Sequence, residues 1–277
     1  MSTAAQAMAT AAARLRAAGV PDPARDARLL LAHAASVDAA RVTLIAPEDI
    51  APEIAERFEQ LVALRAVRVP VSQLVGSRAF YGRDFRISRE VLDPRPETET
   101  LVDLALAAPF DRVLDLGTGS GCILVTLLAE RPDATGVGAD LSETACLQAS
   151  ANAVLHEVAG QAEIIQSDWF EAVAGRFDLI VSNPPYIAAD EMPALQRELA
   201  HEPRMALTDE ADGLTAYRVI CAGAPEYLQP GGRLMVEIGP TQGQQVAQMM
   251  SESGLTQVQV TPDLDGRDRV VQGRKPA

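Results

Sequence analysis

The sequence predicts an α/β fold: a mostly parallel sheet preceded by a small bundle of helices. From Arg112 onwards, short apolar runs alternate with longer helical stretches, as in βαβ units. Residues 3–78 show helical periodicity without such runs. A chain of 277 residues has room for one large domain or two ordinary ones. We therefore expect an N-terminal helical domain over 1–78, a β-hairpin connector over 79–92 and a sheet domain over 93–277.

The helical domain carries no catalytic motif of its own. Asp22 and Pro23 suit the cap and the first position of a helix. A longer helix is predicted from about residue 51 to residue 67, and Pro70 ends it. Its apolar face is expected to hold Ile54, Phe58, Leu61, Val62 and Leu64. Docking of a substrate and a purely structural role are both open for this domain.

Between the two domains, residues 80–87 predict a hairpin that turns at Gly82 and Arg83. Residues 93–99 follow, with two prolines and three acids around one arginine. They lead into a helix predicted over 100–108, which Thr98 is expected to cap. This segment is either a rigid linker or, given its density of polar groups, the wall of a site.

In the sheet domain we expect five parallel strands followed by an antiparallel pair. The parallel strands are predicted at 113–116, 137–140, 163–165, 179–182 and 233–238. Helices are predicted after the first strand, through residue 129, and over 144–158. Strands at 257–260 and 269–272 flank a turn at Asp265 and Gly266. Alternating strands and helices imply helices on both faces and a ligand site at the carboxyl ends of the strands.

The net charge of −14 is unevenly distributed. Residues 1–80 hold nine arginines against eight acidic residues, and the remainder holds 15 basic against 30 acidic residues. Affinity for duplex DNA comes largely from neutralising phosphates, so this acidic chain is not expected to have a stable nucleic-acid partner.

Three widely spaced cysteines suit neither a disulfide framework nor a zinc site. We therefore expect a reducing, cytoplasmic location and no metal. No apolar run approaches the roughly 18 residues of a membrane helix, so no membrane association is expected. The N-terminus lacks a basic region leading into a continuous apolar core, so no secretory signal is expected either.

Three of the predicted strands end in groups that suit a nucleoside ligand. Gly117, Gly119 and Gly121 let a backbone approach a ligand at a helix N-terminus, although their spacing differs from the dinucleotide fingerprint. Asp140 lies 23 positions after Gly117, which suits a carboxylate that accepts hydrogen bonds from ribose hydroxyls. Asp168 and Trp169 suit an adenine, through a hydrogen bond to its amino group and through ring contact. The alternatives are a surface turn for Asp168 and a core position for Trp169.

The fourth strand runs into Asn183, Pro184, Pro185 and Tyr186. Because proline cannot donate a backbone hydrogen bond, the strand must stop there. What remains is one amide side chain, fixed carbonyls and one aromatic ring, which together suit a planar NH2 group. A Pro-Pro pair also ends strands for purely structural reasons, so these four residues alone leave both interpretations open.

The order of these strand ends resembles that of S-adenosylmethionine-dependent methyltransferases. Residues 183–186 resemble the motif of those that methylate an amino group on a conjugated carbon: adenine N6, cytosine N4 or the glutamine amide. Residues 95–99, 167–170, 182–187 and 266–269, with the helical domain and hairpin, further resemble the PrmC/HemK family. This resemblance spans essentially the whole chain. One departure is Asp93, where the family usually has an apolar residue.

The resemblance implies a Rossmann-like methyltransferase sheet and S-adenosyl-L-methionine as cofactor. It also implies methylation of the side-chain amide N5 of the glutamine in the Gly-Gly-Gln loop of class-1 peptide chain release factors. By position, Asp140 would hold the ribose, Asp168 and Trp169 the adenine, and the glycine-rich loop the methionine part: Gly117, Thr118, Gly119, Ser120 and Gly121. The catalytic, glutamine-binding residues would be Asn183, Pro184, Pro185 and Tyr186, with Asn183 also near the cofactor. Further candidates for the wall are Arg95, Glu97 and Glu237.

In the mechanism this implies, the Asn183 side-chain oxygen and the Pro184 carbonyl accept the two amide N–H groups, and Tyr186 packs on the amide plane. We expect a cytoplasmic monomer. A nucleic-acid amino-methyltransferase is the nearest alternative, but it predicts a basic recognition segment that the sequence does not show. A dinucleotide-dependent dehydrogenase is opposed by the glycine spacing and by residues 183–186. Binding without turnover stays open from sequence.

Overall fold

The fold comes from a computed structural model that describes residues 2–277. The chain divides into two units. The first comprises Met1–Ser77 and Gln196–His201, and the second comprises Arg78–Leu195 and Glu202–Ala277.

The first unit is helical. Its helices are α1 (Ala4–Ala17), α2 (Pro23–Ala35), α3 (Val42–Ile45), α4 (Pro52–Ala66) and α5 (Val71–Val75). The predicted start of α2 is confirmed, since the Asp22 side chain accepts a hydrogen bond from the Arg25 amide at 3.4 Å and Pro23 takes the first helical position. The core of the unit is built from aliphatic residues and one ring, including Leu15, Leu30, Leu31, Phe58 and Val62.

The predicted apolar face of α4 is wrong at one position. Phe58 and Val62 are buried as expected, but Leu64 is 46% exposed. Positions four and seven residues after Phe58 fall on its face of the helix, and these are Val62 and Arg65 rather than Leu64.

Arg65 is a buried cation whose charge is fully paired within this unit. It lies 2.7 Å from the Asp26 carboxylate and 3.0 Å from Glu198. Arg68 also contacts Glu198, at 2.6 Å. A buried guanidinium is tolerated only when its charge is compensated, and two carboxylates do so here. The short segment Gln196–His201 is thus held to the helices by ion pairs.

The predicted hairpin is present. Strands β1 (Ser77–Phe80) and β2 (Arg83–Arg86) form a separate two-stranded sheet. Its turn is at Tyr81 and Gly82, one residue before the predicted pair Gly82 and Arg83, because Arg83 already belongs to β2. Tyr81 and Gly82 both have positive φ, 49° and 71°, as a two-residue type I′ turn requires.

The second unit contains a seven-stranded sheet in the order β5-β4-β3-β6-β7-β9-β8. Its parallel strands are β3 (Arg112–Leu116), β4 (Thr135–Asp140), β5 (Ala162–Gln166), β6 (Phe177–Ser182) and β7 (Leu228–Glu237). The last two, β8 (Thr256–Pro262) and β9 (Asp268–Arg274), are antiparallel, as predicted. The helices are α6 (Glu99–Leu106), α7 (Cys122–Glu130), α8 (Glu143–Leu155), α9 (Thr215–Tyr227) and α10 (Gly243–Glu252).

The apolar core lies in two layers, one on each face of the sheet. Residues of β3 alternate between them: Val113 belongs to the layer that also contains residues of α6 and α7, and Leu114 to the layer that contains residues of α9 and α10. This alternation follows from the two-residue period of a strand. The predicted α/β class with a mostly parallel sheet is therefore confirmed.

Several element boundaries differ from those predicted. Helices α9 and α10 have no counterpart among the predicted elements. Strand β7 begins at Leu228, five residues before the predicted start at residue 233. Helix α8 ends at Leu155, three residues before the predicted end.

Candidate active site

The site lies where the strand order reverses. Chain connections run from β3 outward through β4 and β5 on one side, and through β6 and β7 on the other. The carboxyl ends flanking such a switch point form a crevice where α/β proteins bind ligands. Leu116 of β3 is in register with Ser182 of β6, so the glycine-rich loop and Asn183 emerge side by side.

The glycine-rich loop presents backbone to this crevice. Gly117 and Gly119 line it, and both have positive φ, 70° and 55°. A Cβ atom on Gly117 would meet nothing within 4 Å, so the open space beside it is available to a ligand. Because these glycines expose backbone where a side chain would stand, a ligand can approach the loop closely.

The other three loop residues point into the protein. Thr118 is buried, and its hydroxyl donates to the Asp115 carboxylate at 2.7 Å. The Ser120 carbonyl accepts from the Asn152 amide at 2.8 Å. A Cβ atom on Gly121 would lie 3.1 Å from Ala149, so glycine is needed for close helix packing. Thr118, Ser120 and Gly121 therefore shape the loop, while Gly117 and Gly119 face the crevice.

Asp140, at the end of β4, lines the same crevice. One carboxylate oxygen accepts from the Gly119 amide and the other from the Ser142 amide, each at 2.9 Å. Burial raises the pKa of Asp140, and these backbone hydrogen bonds act against that rise. A carboxylate has about four lone-pair sites, so two stay available for hydroxyl donors such as those of a ribose.

Asp168 and Trp169 follow β5 and also line the crevice. Asp168 is exposed, and Trp169 is half-buried against the core layer containing residues of α9 and α10. Trp169 has a φ of 47°, and the Ser167 hydroxyl fixes the turn by donating to the Trp169 carbonyl at 3.0 Å. An aromatic surface and a carboxylate therefore stand together at one end of the crevice.

Asn183 presents an acceptor. Its Nδ2 donates to the Thr98 hydroxyl oxygen at 3.2 Å, while its Oδ1 is buried and has no partner among residues 2–277. Buried polar atoms are nearly always hydrogen-bonded, so the unpartnered Oδ1 of Asn183 can accept a hydrogen bond from a ligand in the crevice. Asn183 and Pro185 line the crevice, and Pro184 between them is buried.

Tyr186 is held by its backbone and by packing. Its carbonyl accepts from the Gln242 side chain at 2.9 Å, and its ring packs against the core layer containing residues of α9 and α10. Burial raises the pKa of Tyr186 to about 12, with the nearby Glu237 charge acting in the same direction. The phenol is therefore neutral at physiological pH.

Two further carboxyl groups are buried beneath the site. Burial raises the pKa of Asp115 to about 7, although the Thr118 hydroxyl lowers it. Burial likewise raises the pKa of Glu237 to about 7, against a lowering hydrogen bond from Thr98. The predicted candidate Glu237 thus lies in the protein interior, 1% exposed, next to the residue that holds Asn183.

Arg95 and Glu97 differ in their surroundings. The Arg95 guanidinium lies 2.6 Å from the carboxylate of Glu202, whose backbone segment continues into residues 203–206 at the crevice. Glu97 is exposed. Neither Arg95 nor Glu97 is among the residues that line the crevice in the described chain. Glu202 is only 7% exposed, and nothing in the sequence marks it except that it is an acid next to Pro203.

Sequence reasoning also missed several lining residues. Glu90, Val91 and Leu92 precede the proline-rich segment, and Met205 lies within the 3₁₀ turn Arg204–Ala206 of the long β6–α9 connection. None belongs to a motif, so only the three-dimensional structure assigns them to the crevice. Asp93, the unusual acid, is buried with its carboxylate 4.0 Å from Arg78.

Among residues 2–277, no group of three or more His, Cys, Asp or Glu side chains is arranged to hold a metal ion. The same residues contain no helix long and apolar enough to cross a bilayer.

Two family models match the chain. The PrmC N-terminal domain matches residues 6–76 and the methyltransferase small domain matches residues 88–212. The release factor glutamine methyltransferase of Cereibacter sphaeroides is 58% identical over 275 residues, with 99% of each chain covered. The chain belongs to the PrmC/HemK family of release factor glutamine methyltransferases.

A second relative agrees with this membership, and a solved structure shares the fold. The release factor glutamine methyltransferase of Rhodospirillum rubrum is 44% identical over 268 residues, covering 95% of this chain and 82% of the relative. A solved methyltransferase from Pyrococcus furiosus shares the fold at a TM-score of 0.56 and 14% identity, covering 80% of this chain and 100% of that one. The predicted family, fold and enzyme class are therefore confirmed, as is S-adenosylmethionine as cofactor.

The residues of this PrmC/HemK family member fit that cofactor. Open space beside Gly117 suits the close approach of a ligand, and Asp140 retains free lone pairs for two hydroxyls. Trp169 supplies a flat surface for a base. The crevice thus offers complementary chemistry for a methionine part, a ribose and an adenine, in the order in which their strands lie.

Proposed function

We propose that this protein transfers a methyl group from S-adenosylmethionine to the side-chain amide N5 of the glutamine in the Gly-Gly-Gln loop of class-1 peptide chain release factors. The single observation that carries the proposal is the buried, unpartnered Oδ1 of Asn183 at the crevice. This oxygen can accept a hydrogen bond from an N–H donor, and it lies beside the glycine-rich loop that is proposed to contact the cofactor.

The chemistry demands accurate positioning. An amide nitrogen is a poor nucleophile because its lone pair is shared with the carbonyl, and the scale of that conjugation is the ~18–20 kcal/mol barrier to amide rotation. Bound S-adenosylmethionine supplies an electrophilic methyl group. The protein's task is to hold the nitrogen in line with that group, and positioning of this kind can contribute roughly 7–11 kcal/mol.

In the proposal, Asn183 Oδ1 and the Pro184 carbonyl accept the two N–H groups of the glutamine amide. Both acceptors also stabilise positive charge as it develops on the nitrogen. The Pro184 ring fixes its φ and the following Pro185 restricts its ψ, so the Pro184 carbonyl needs little reorganisation. Tyr186 packs on the amide plane.

The site needs no strong general base. The pKa of Tyr186 is raised to about 12, so its phenol stays protonated near neutral pH. Glu237 is 1% exposed and lies next to Thr98 rather than in the lining of the crevice. Methyl transfer leaves a positively charged nitrogen that still carries both of its protons. This cationic amide is strongly acidic, and in the proposal it loses one of these protons to water, which gives the neutral N-methylamide.

The cofactor contacts follow from the crevice. Gly117 and Gly119 present backbone to the methionine part, Asp140 accepts from the ribose hydroxyls, and Asp168 and Trp169 contact the adenine. The predicted roles of Thr118, Ser120 and Gly121 become indirect, since these residues hold the loop in shape. Arg95 and Glu97 are assigned no direct contact with the glutamine.

The helical unit is proposed to dock the release factor, since it carries no chemistry of its own and matches the PrmC N-terminal domain. A cytoplasmic location is part of the proposal, since that is where translation terminates. So is a monomer, because every group assigned to the site comes from one chain.

The proposal is tested by incubating the protein with radiolabelled S-adenosylmethionine and three acceptors in parallel: a purified class-1 release factor, the same factor with the loop glutamine changed to alanine, and duplex DNA. Label is expected on the intact factor alone. Label on DNA alone would overturn the proposal in favour of a nucleic-acid amino-methyltransferase, and equal labelling of both factors would remove the glutamine assignment.

A further inference from the structure

Thr98 occupies the N-cap position of α6 but does not cap it, contrary to the sequence prediction. No hydrogen bond links its side chain to the first turn of the helix. The hydroxyl is instead directed at the site, where its oxygen accepts from Asn183 Nδ2 at 3.2 Å. At 2% exposure, Thr98 is shielded from water. A residue well suited to capping has been turned towards the Asn183 amide.

The orientation of that amide decides what the site can bind. With Nδ2 on Thr98, Oδ1 is the unpartnered atom and can accept an N–H from a substrate amide. Rotation of the amide by half a turn would present an NH2 group instead. Two donors would then face each other, and the substrate nitrogen would lose an acceptor. Something must therefore favour one orientation over the other.

A hydroxyl both donates and accepts, so the preference depends on where the Thr98 proton goes. The buried carboxyl of Glu237 is the neighbouring acceptor. Ser182 of β6 is in register with Val236 of the parallel strand β7. The residues that follow these two, Asn183 and Glu237, are therefore neighbours. The Glu237 carboxyl, 1% exposed, lies beside the Thr98 hydroxyl.

Above its pKa of about 7 the Glu237 carboxyl is ionised and only accepts, and a hydrogen bond from Thr98 acts to lower that pKa, so the hydroxyl proton is directed to Glu237. The Thr98 oxygen then offers only lone pairs to Asn183. The other charged groups around Glu237 are Arg269, whose guanidinium is 4.0 Å away, and the more distant Arg95 and Glu97.

We propose that Thr98 is a positioning residue for methyl transfer, which orients the Asn183 amide so that Oδ1 faces the substrate nitrogen. This inference rests on the proposed function, because the benefit of the orientation depends on a substrate with an N–H donor. It adds one residue to the machinery, which touches neither the substrate nor the cofactor.

The test compares Thr98→Val with Thr98→Ser at about pH 8. Valine keeps the shape of threonine without its hydroxyl, and serine keeps the hydroxyl without the methyl group. The kcat for release-factor methylation is expected to fall about 10- to 100-fold in Thr98→Val, by analogy with the loss seen when a residue that orients a metal ligand is removed. Thr98→Ser should retain most of it. In both variants the calorimetric Kd for S-adenosylmethionine should stay at the wild-type value.

A purely structural role is excluded by two further measurements. In an Asn183→Ala background, Thr98→Val should have no further effect on kcat, because the amide it orients is gone; an undiminished loss would overturn the inference. In ¹⁵N-labelled protein without substrate, the Asn183 NH2 resonances, assigned by their absence in Asn183→Ala, should shift in Thr98→Val and stay near their original position in Thr98→Ser.

The resonances also separate the two proposals. If the wild-type protein fails to methylate a release factor but the shifts occur as expected, the proposed function is wrong and the Thr98–Asn183 contact stands. Unchanged resonances in Thr98→Val, or a kcat equal to that of the wild type, would refute the positioning role. Should Thr98→Val not fold, Thr98→Ala removes the same hydroxyl with less steric demand.

Discussion

Arg95 and Glu202 form an ion pair in which one partner is almost completely buried, and Arg95→Met removes the compensating charge. The Arg95 Nη2 lies 2.6 Å from the Glu202 carboxylate, with side-chain exposures of 31% and 1%. In the variant, the backbone amide of Asp93, at 3.4 Å, is the remaining hydrogen-bond donor to that carboxylate. A buried charge left without its counter-ion is costly, whereas methionine fills most of the space that arginine occupied.

The expected loss in the free energy of unfolding is about 3 kcal/mol at pH 8. Breaking a buried pair typically costs roughly 3–5 kcal/mol, and the partial exposure of Arg95 places this pair at the low end. Burial already raises the pKa of Glu202, with the Arg95 charge acting against it. Without Arg95 the carboxyl will hold its proton to higher pH, so the loss should be smaller at about pH 5.5 than at pH 8.

Urea unfolding followed by tryptophan fluorescence measures this loss. The chain has one tryptophan, Trp169, which lies in the same unit as the ion pair. Adding Glu202→Leu should recover most of the stability, since it removes the uncompensated charge. Arg204→Met is the matched control, because Arg204 and its partner Glu210 are 59% and 57% exposed and solvent screens their pair, so its loss should change stability little. Equal effects of Arg95→Met and Arg204→Met, or no recovery in the double variant, would refute the reasoning.

Three other changes separate the roles of individual residues. Asn183→Ala should lose most of kcat while the Kd for S-adenosylmethionine, measured by isothermal titration, changes little; loss of cofactor binding in the folded variant would contradict the role given to Asn183. Asp140→Ala should do the reverse and weaken cofactor binding, and an unchanged Kd would remove the ribose assignment. Glu237→Gln should change the pH dependence of stability. Because the native pKa of Glu237 is about 7 and its ordinary value is 4.5, the native state binds the extra proton between these values. Wild-type stability should therefore fall by about 3 kcal/mol more than that of Glu237→Gln as pH rises from about 4.5 to 8, and parallel pH profiles would contradict the burial argument.

The parallel sheet was predictable because its strands are short apolar runs between helical stretches. A strand that is buried on both faces is typically a nearly continuous run of apolar residues. The site was predictable for a related reason. Parallel strands end at one edge, so motifs far apart in the chain, such as Gly117 and Asn183, must meet there. The topology of the sheet therefore suffices to place the residues that follow its strand ends.

Contacts that depend on side-chain direction were not predictable. Thr98 was predicted from sequence to cap a helix. Only the structure shows that its hydroxyl contacts Asn183 and makes no capping hydrogen bond. Arg95 was predicted to form the wall of the site, but it forms an ion pair with Glu202, which lies more than a hundred positions later in the chain. Such pairings depend on the path of the long β6–α9 connection, which has no periodic pattern to reveal it.

Locating the transferred methyl group tests the central claim most directly. The protein is incubated with S-adenosylmethionine and a purified class-1 release factor, and the digested factor is examined by tandem mass spectrometry. The account predicts one added methyl group, on the side-chain nitrogen of the Gly-Gly-Gln glutamine. A methyl group on any other residue of the factor, or on none while DNA adenine in the same reaction is methylated, would contradict it.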